Sequence, residues 1–188
     1  ATSIVQRGKY EVLEREGKLG LAGWMIDRSG NDVKDPGAVL EGLEAGLMAL
    51  LPLGGAGESH GGHKGYGLAA MVEILSSALQ GGAFLYGLIG FDEKGNRRPY
   101  CVGHFFMAID IEHFTPLEEF KKTAGAIMRQ LRSAPKVPGH GRIFVAGEKE
   151  AESEKLVRER GVPVNSALQK DLKFMQAELG LTRPQLPF

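Results

Sequence analysis

The sequence predicts an α/β domain, with an α+β arrangement of the same pieces as the open alternative. Two observations carry this. Apolar residues recur at helical spacing in several separate windows, and short β-branched or aromatic runs lie between them, with glycine or proline at nearly every boundary. A chain of 188 residues suits one domain, or one large domain with an appendage, and can bury a real core.

Residues 1 to 16 read as a helix, with Thr2 or Ser3 as cap and Ile4, Val5, Tyr10, Val12 and Leu13 as a loose apolar stripe, ended by Gly17 and Gly20. Gly23 to Ile26 reads as a short extended piece anchored by Trp24, and Asp27-Arg28-Ser29-Gly30-Asn31 as a tight loop. Pro36 opens a helix over about 37 to 50, on Val39, Leu40, Leu43, Leu47 and Met48. A second helix spans about 65 to 80, its apolar positions wide enough for burial on most sides, which leaves Glu73 in need of a partner. Phe84 to Gly90 is apolar, and Asp92 to Asn96 is an exposed loop.

Val102 to Ile111 is rich in β-formers and reads as a mostly buried strand. Thr115-Pro116 followed by Glu118 and Glu119 marks the start of a helix that runs to about 133. Arg142 to Ala146 reads as a short strand feeding Gly147 and a charged helix over about 149 to 160. Val162 to Val164 is a brief extended link, Asn165 caps a last helix over about 166 to 179, and Pro184 to Phe188 is a tail.

Composition narrows the function. The 23 basic and 23 acidic side chains cancel and no basic block occurs, which argues against nucleic acid or anionic lipid as partner. Cys101 is the only cysteine, so no intrachain disulfide framework exists. With no apolar run of about 18 residues and no signal-peptide pattern, the chain reads as soluble and cytoplasmic. It opens at Ala1 without an initiator methionine, and this reads as a fragment or a cleavage product.

Chemistry concentrates in Gly61-Gly62-His63-Lys64-Gly65-Tyr66-Gly67, a glycine-rich turn that enters an apolar helix. Glycines let the backbone approach a ligand, Lys64 supplies charge, and the N–H groups of a first helical turn point the same way, so the stretch reads as an anion loop. Gly65-x-Gly67-x-x-Ala70 matches the dinucleotide fingerprint, but no strand or βαβ unit precedes it, and the residues around Lys64 are wrong for a Walker A loop. The five histidines lack metal-ligand spacing, and Ser59-His60 lacks a nucleophile elbow, so no metal site and no nucleophile is read here. Gly147-Glu148-Lys149, on spacing alone, is an ordinary turn into a helix.

The run from Gly62 to Leu75 resembles the hallmark segment of the malate/L-lactate dehydrogenase family, the non-Rossmann kind that also includes ureidoglycolate and sulfolactate dehydrogenases and diketogulonate reductase. The resemblance extends through Ala1-Thr2-Ser3, Gly23-Trp24 to Asp35-Pro36, Leu51 to Gly55, Phe105 to Asp110 and Val162-Pro163-Val164, which is nearly the whole chain. It implies a non-Rossmann, mixed-sheet α/β fold with flanking helices, binding NAD or NADP and working as a homodimer on a small 2-hydroxy or 2-oxo acid. By position it assigns cofactor contacts to His63, Lys64, Gly65, Gly147, Glu148 and Lys149, and to Ala1, Thr2 and Ser3. This reverses the plain-turn reading of Gly147 to Lys149.

The family's catalytic histidine lies in a Ser-His-Gly segment near the start of the whole enzyme, so none of this chain's residues is expected to be the acid/base. Ser59-His60-Gly61 has the same letters but sits in the Lys64 loop, and the role is not transferred to it. On this resemblance residues 1–100 are an incomplete cofactor-binding portion and 101–188 a C-terminal portion whose helices pack on the rest of the enzyme. The chain would then be a C-terminal half that needs the N-terminal half and is inactive alone. The competing reading is a non-catalytic remnant that offers dimer surface or binds nucleotide without turnover.

Overall fold

A computed structural model describes residues 2–92, 94–183 and 185–188. Ala1, Glu93 and Pro184, which the sequence assigns to a cofactor-contacting segment, a loop and the tail, lie outside the described residues. The chain divides into two compact units, Ala1–Phe106 and Met107–Phe188.

The first unit holds the core. Helix α1 (Arg7–Glu16) buries Tyr10 and Leu13 and stops where Gly17 turns left-handed at φ 63°, its N–H returning to the helix carbonyls. Thr2 and Ser3 are not its cap. Ser3 pairs with Pro52 in an antiparallel bridge, the Ile4 N–H donates to the Leu51 carbonyl at 3.0 Å, and the Leu53 N–H donates to the Thr2 carbonyl at 3.0 Å. Pairing with a segment some fifty positions away thus outcompetes the local cap, and the expected helix loses its first residues.

Strand β1 (Met25–Asp27) leads into the predicted loop, which closes because the Asp27 carboxylate accepts the Ser29 and Asn31 N–H groups at 2.8 and 2.9 Å. Helix α2 (Pro36–Glu44) starts as the sequence requires, with Pro36 in its first turn and the Ala38 N–H donating to Asp35 at 2.9 Å. It does not continue to residue 50. Gly46 turns left-handed at φ 67°, and Met48–Leu50 becomes strand β2, antiparallel to β1 with Ile26 opposite Ala49. Helical spacing in Leu47 and Met48 was therefore misleading, because a strand partner was waiting at residues 25–27. Val5, Tyr10, Leu13, Met25 and Val39 pack together beneath these elements, and Trp24 meets Tyr10 edge-on at 6.0 Å between ring centroids.

Helix α3 (Gly62–Ser76) is followed by a 3-10 turn at Ala78–Gln80. Burial on most sides does not occur: only Gly62 and Gly65 are buried, whereas Met71, Val72 and Ile74 are exposed. Glu73 finds its partner in the Leu85 N–H, at 2.8 Å. Leu85–Ile89 is a second 3-10 turn.

In the second unit, α4 (Leu117–Ser133), α5 (Glu148–Arg160) and α6 (Ser166–Glu178) follow the predicted boundaries closely. Asn165 caps α6 by accepting the Leu168 N–H at 2.9 Å. The two strands expected at Val102–Ile111 and Arg142–Ala146 are absent. Residues 102–110 and 142–146 lack regular structure and Ile111 opens a 3-10 turn, because a strand requires a neighbouring strand to take its N–H and C=O groups and neither run has one among the described residues.

The 188-residue chain exposes 14797 Å². Two separately folded units of these lengths would expose about 10,600 Å² in total. None of the described residues from 107 onward is buried, although α4 carries a strongly amphipathic face with Phe120, Ile127, Met128 and Leu131 open. This chain therefore presents apolar surface that its own residues leave uncovered.

Inside the first unit one polar atom is stranded: the Tyr10 hydroxyl is buried and has no hydrogen-bond partner among the described residues, and burial pushes its pKa up. Leaving such a group unpaired costs about 1–3 kcal/mol. Tyr10→Phe should accordingly raise the stability of the first unit by roughly 1 kcal/mol in a urea titration. A lowered midpoint would show that the hydroxyl has a partner.

Candidate functional site

The glycine loop is built by backbone packed on backbone. A Cβ at Gly54 would lie 2.5 Å from the Gly61 carbonyl carbon, one at Gly62 would collide with the Gly55 carbonyl, and one at Gly65 would collide with the Leu53 carbonyl. Thr2 and Ser3 belong to the same construction, since they pair with Leu53 and Pro52. The structure thus brings together Thr2, Ser3 and Gly65, with His63 and Lys64 exposed in the same first turn of α3.

Gly57 and Gly61 serve differently. Both hold positive φ, 69° and 81°, and a Cβ there would meet nothing within 4 Å, so the loop's outer backbone is open to a ligand. Beside it lies a shallow cavity of about 350 Å³ lined by Leu53, Gly54, His60, Gly61, Lys64, Gly65 and Leu68. Lys64 forms no ion pair among the described residues, so its ammonium is available to an anion.

The free N–H groups expected in the first turn are mostly spent within the loop. Gly62 N–H donates to Gly57 at 2.9 Å and Lys64 N–H to Gly61 at 3.0 Å, which leaves His63 N–H without a backbone acceptor among the described residues. Charge on Lys64, rather than a row of amides, is the loop's main attraction for an anion. His60 lines the cavity and His63 does not. The sequence puts His60 in the loop three positions before His63, and that spacing does not show which of the two lines the cavity. Its Nδ1 lies 3.2 Å from the Ser59 hydroxyl, on the exposed surface.

Gly147, Glu148 and Lys149 belong to the second unit. Gly147, at φ 88°, precedes α5, and the Glu148 carboxylate folds back to accept the Val145 N–H at 2.9 Å. Arg132 of α4 donates to the same carboxylate at 2.6 Å, and Arg142 approaches at 3.5 Å. Arg132 comes from 16 positions away, so nothing in the local pattern signals it. Lys149 and Arg142 both lie over the Phe144 ring, at 4.9 and 4.5 Å from its centroid. Glu148 therefore ties the 142–147 segment to α4, while Lys149 stands at the start of α5.

The Val145 N–H, and then Arg132, hold the Glu148 carboxyl below its ordinary value. A depressed folded-state pKa stabilises the fold above the unfolded glutamate value, about 4.3, and the gain disappears as pH falls through the lower folded value. Acidification below about pH 4.3 should therefore loosen the start of α5, seen as loss of the Glu148 and Val145 cross-peaks' native positions in NMR spectra. Glu148→Gln should lower stability at neutral pH and flatten this acid dependence; an unchanged acid profile would remove Glu148 from the account.

The family model for malate/L-lactate dehydrogenase matches residues 1–173, and the chain belongs to that family. Among its relatives, the malate dehydrogenase of Pyrococcus horikoshii is 42% identical over 181 residues, covering 96% of this chain and 48% of the relative. The L-sulfolactate dehydrogenase of Methanocaldococcus jannaschii is 34% identical over 185 residues, covering 96% and 47%. The solved structure of malate dehydrogenase from Entamoeba histolytica superposes with a TM-score of 0.87 at 40% identity, covering 100% of this chain and 51% of that one. The chain spans about half the length of the relatives it matches.

Proposed function

We propose that this chain is the cofactor-holding part of an NAD- or NADP-dependent dehydrogenase that interconverts a small 2-hydroxy acid and the corresponding 2-oxo acid. The observation that carries the proposal is the Lys64 ammonium, without an ion pair among the described residues, beside an open glycine backbone in a chain of the malate/L-lactate dehydrogenase family. A cavity of about 350 Å³ is at the small end of ligand sites, about 300–1,000 Å³, so it suits the phosphate-bearing part of a dinucleotide.

Residues 1–100 would form the cofactor-binding portion and 101–188 a C-terminal portion whose helices pack on the rest of a homodimeric, cytoplasmic enzyme. Lys64 would neutralise a phosphate, and the His63 N–H and side chain would contact the same group. Thr2, Ser3 and Gly65 would shape the wall, and the family resemblance assigns Ala1 to the same set of cofactor contacts. Gly147, Glu148 and Lys149 would give a second set of contacts, in which Lys149 touches the ligand and Glu148 fixes the turn that presents it. Bound nicotinamide would supply the hydride acceptor or donor. The acid/base histidine is assigned to the part of the enzyme outside this chain.

In the whole enzyme, Lys64→Ala removes a charge-assisted bond worth about 1.5–3 kcal/mol, so the Kd for the nicotinamide cofactor should rise on the order of 10- to 100-fold. Calorimetric titration with NADH and NADPH checks this, and an unchanged Kd would exclude Lys64 from the site. The 188-residue chain alone, given NADH or NADPH with oxaloacetate or pyruvate, should leave the absorbance of the reduced nicotinamide constant. Sustained turnover would place a catalytic acid within these residues.

A further inference from the structure

We infer that Phe144 is a positioning residue of the proposed cofactor site: its ring holds the Lys149 ammonium in place for an anionic group of the nicotinamide dinucleotide. The inference rests on the reading of Lys149 as a cofactor contact, and it gives a role to a side chain outside the Gly147-Glu148-Lys149 turn.

Two cations lie over this one ring, Arg142 at 4.5 Å and Lys149 at 4.9 Å from its centroid. Both are within the roughly 6 Å over which the negative face of an aromatic ring attracts a cation. Their charges are committed differently. The Arg142 guanidinium donates to Glu152 at 2.5 Å and approaches Glu148 at 3.5 Å, so two carboxylates already neutralise it. Lys149 forms no ion pair among the described residues, and its ammonium rests on Phe144 instead.

That difference is what a ligand-binding lysine needs. A lysine at the start of an exposed helix has a long, flexible stem, and ordering it when a ligand arrives costs up to about 2 kcal/mol of rotamer entropy. A ring under the ammonium removes part of that cost in advance. It does so without neutralising the charge, as a carboxylate would, and leaves N–H donors free for a phosphate or carboxylate oxygen.

The backbone that carries the ring is itself held. The next residue, Val145, donates its N–H to the Glu148 carboxylate at 2.9 Å, and Arg132 of α4 grips the same carboxylate at 2.6 Å. Gly147, left-handed at φ 88°, turns the chain between the ring and Lys149. Simple apolar cover would need only the aliphatic stems of Arg142 and Lys149 against the ring. Here the Lys149 nitrogen itself lies over the ring face, which is an electrostatic arrangement that an aliphatic residue of similar size cannot supply.

Two measurements test this. In NMR spectra of the 188-residue chain carrying 13C-labelled lysine, the Lys149 ε-methylene protons should resonate upfield of those of the other lysines, shielded by the ring, and should return to the common position in Phe144→Leu. In the whole enzyme, calorimetric titration with NADH and NADPH should show Phe144→Leu raising the Kd about two- to fivefold, Phe144→Tyr leaving it close to the wild-type value, and Lys149→Met raising it on the order of tenfold. In the Lys149→Met background, Phe144→Leu should add nothing further. Lys149 signals at the common position in the wild-type chain overturn the inference. Equal Kd values for the Leu and Tyr variants also overturn it, while a raised Kd in Lys149→Met leaves that residue as a cofactor contact. An unchanged Kd in Lys149→Met defeats the reading of Lys149 itself, and the inference falls with it.

Discussion

Everything outside the first unit's core depends on apolar surface that this chain does not cover. Its 14797 Å² exceeds what two separate units of these lengths would expose by about 4,000 Å², several times the roughly 800 Å² that one partner buries in a standard interface. The excess lies on elements that local rules form readily: the apolar helix α3, the amphipathic α4 and the run after His104. Each has the side chains of a buried element and lacks the layer that would bury it.

The first unit stands apart because its contacts close among themselves. Tyr10, Met25 and Val39 are fully buried, and α1, α2 and the β1–β2 pair each contribute residues to that core. From that core the segment after β2 carries Leu53 against Thr2, and the glycines at 54, 62 and 65 let the loop return on itself at distances that no Cβ would allow. Lys64 is thus presented on a backbone fixed by packing, which is what an anion site needs if binding is not to be offset by the entropy of ordering the loop.

The helices were legible because their signals are local. Asp35 with Pro36, Pro116 with two glutamates, Gly147 and Asn165 each mark a helix start through contacts within a few positions, and each helix begins there. Strands were legible only in part: Gly23 to Ile26 reads as extended and leads into β1, but pairing elsewhere is decided by distant parts of the chain. Met48–Leu50 looked helical and became a strand when β1 offered its edge, whereas Val102–Ile111 and Arg142–Ala146 have strand composition and no partner strand among the described residues. The same division holds at the site. Glycine spacing exposed the Lys64 loop, but the place of His60 at the cavity and the Arg132 partner of Glu148 depend on tertiary contacts that leave no mark in the local pattern.

Uneven burial should show as uneven stability. Trypsin acting on the folded chain is the most direct measurement, because cleavage inside a helix follows the free energy of opening it. The account predicts that lysines and arginines within α4, α5 and α6 are cut at least about tenfold faster than Arg15 in α1, since the second unit has no buried residue among those described while α1 is anchored by Tyr10 and Leu13. Equal cleavage rates in the two units would contradict it, and would mean that the surface of α4 to α6 needs no cover from another polypeptide.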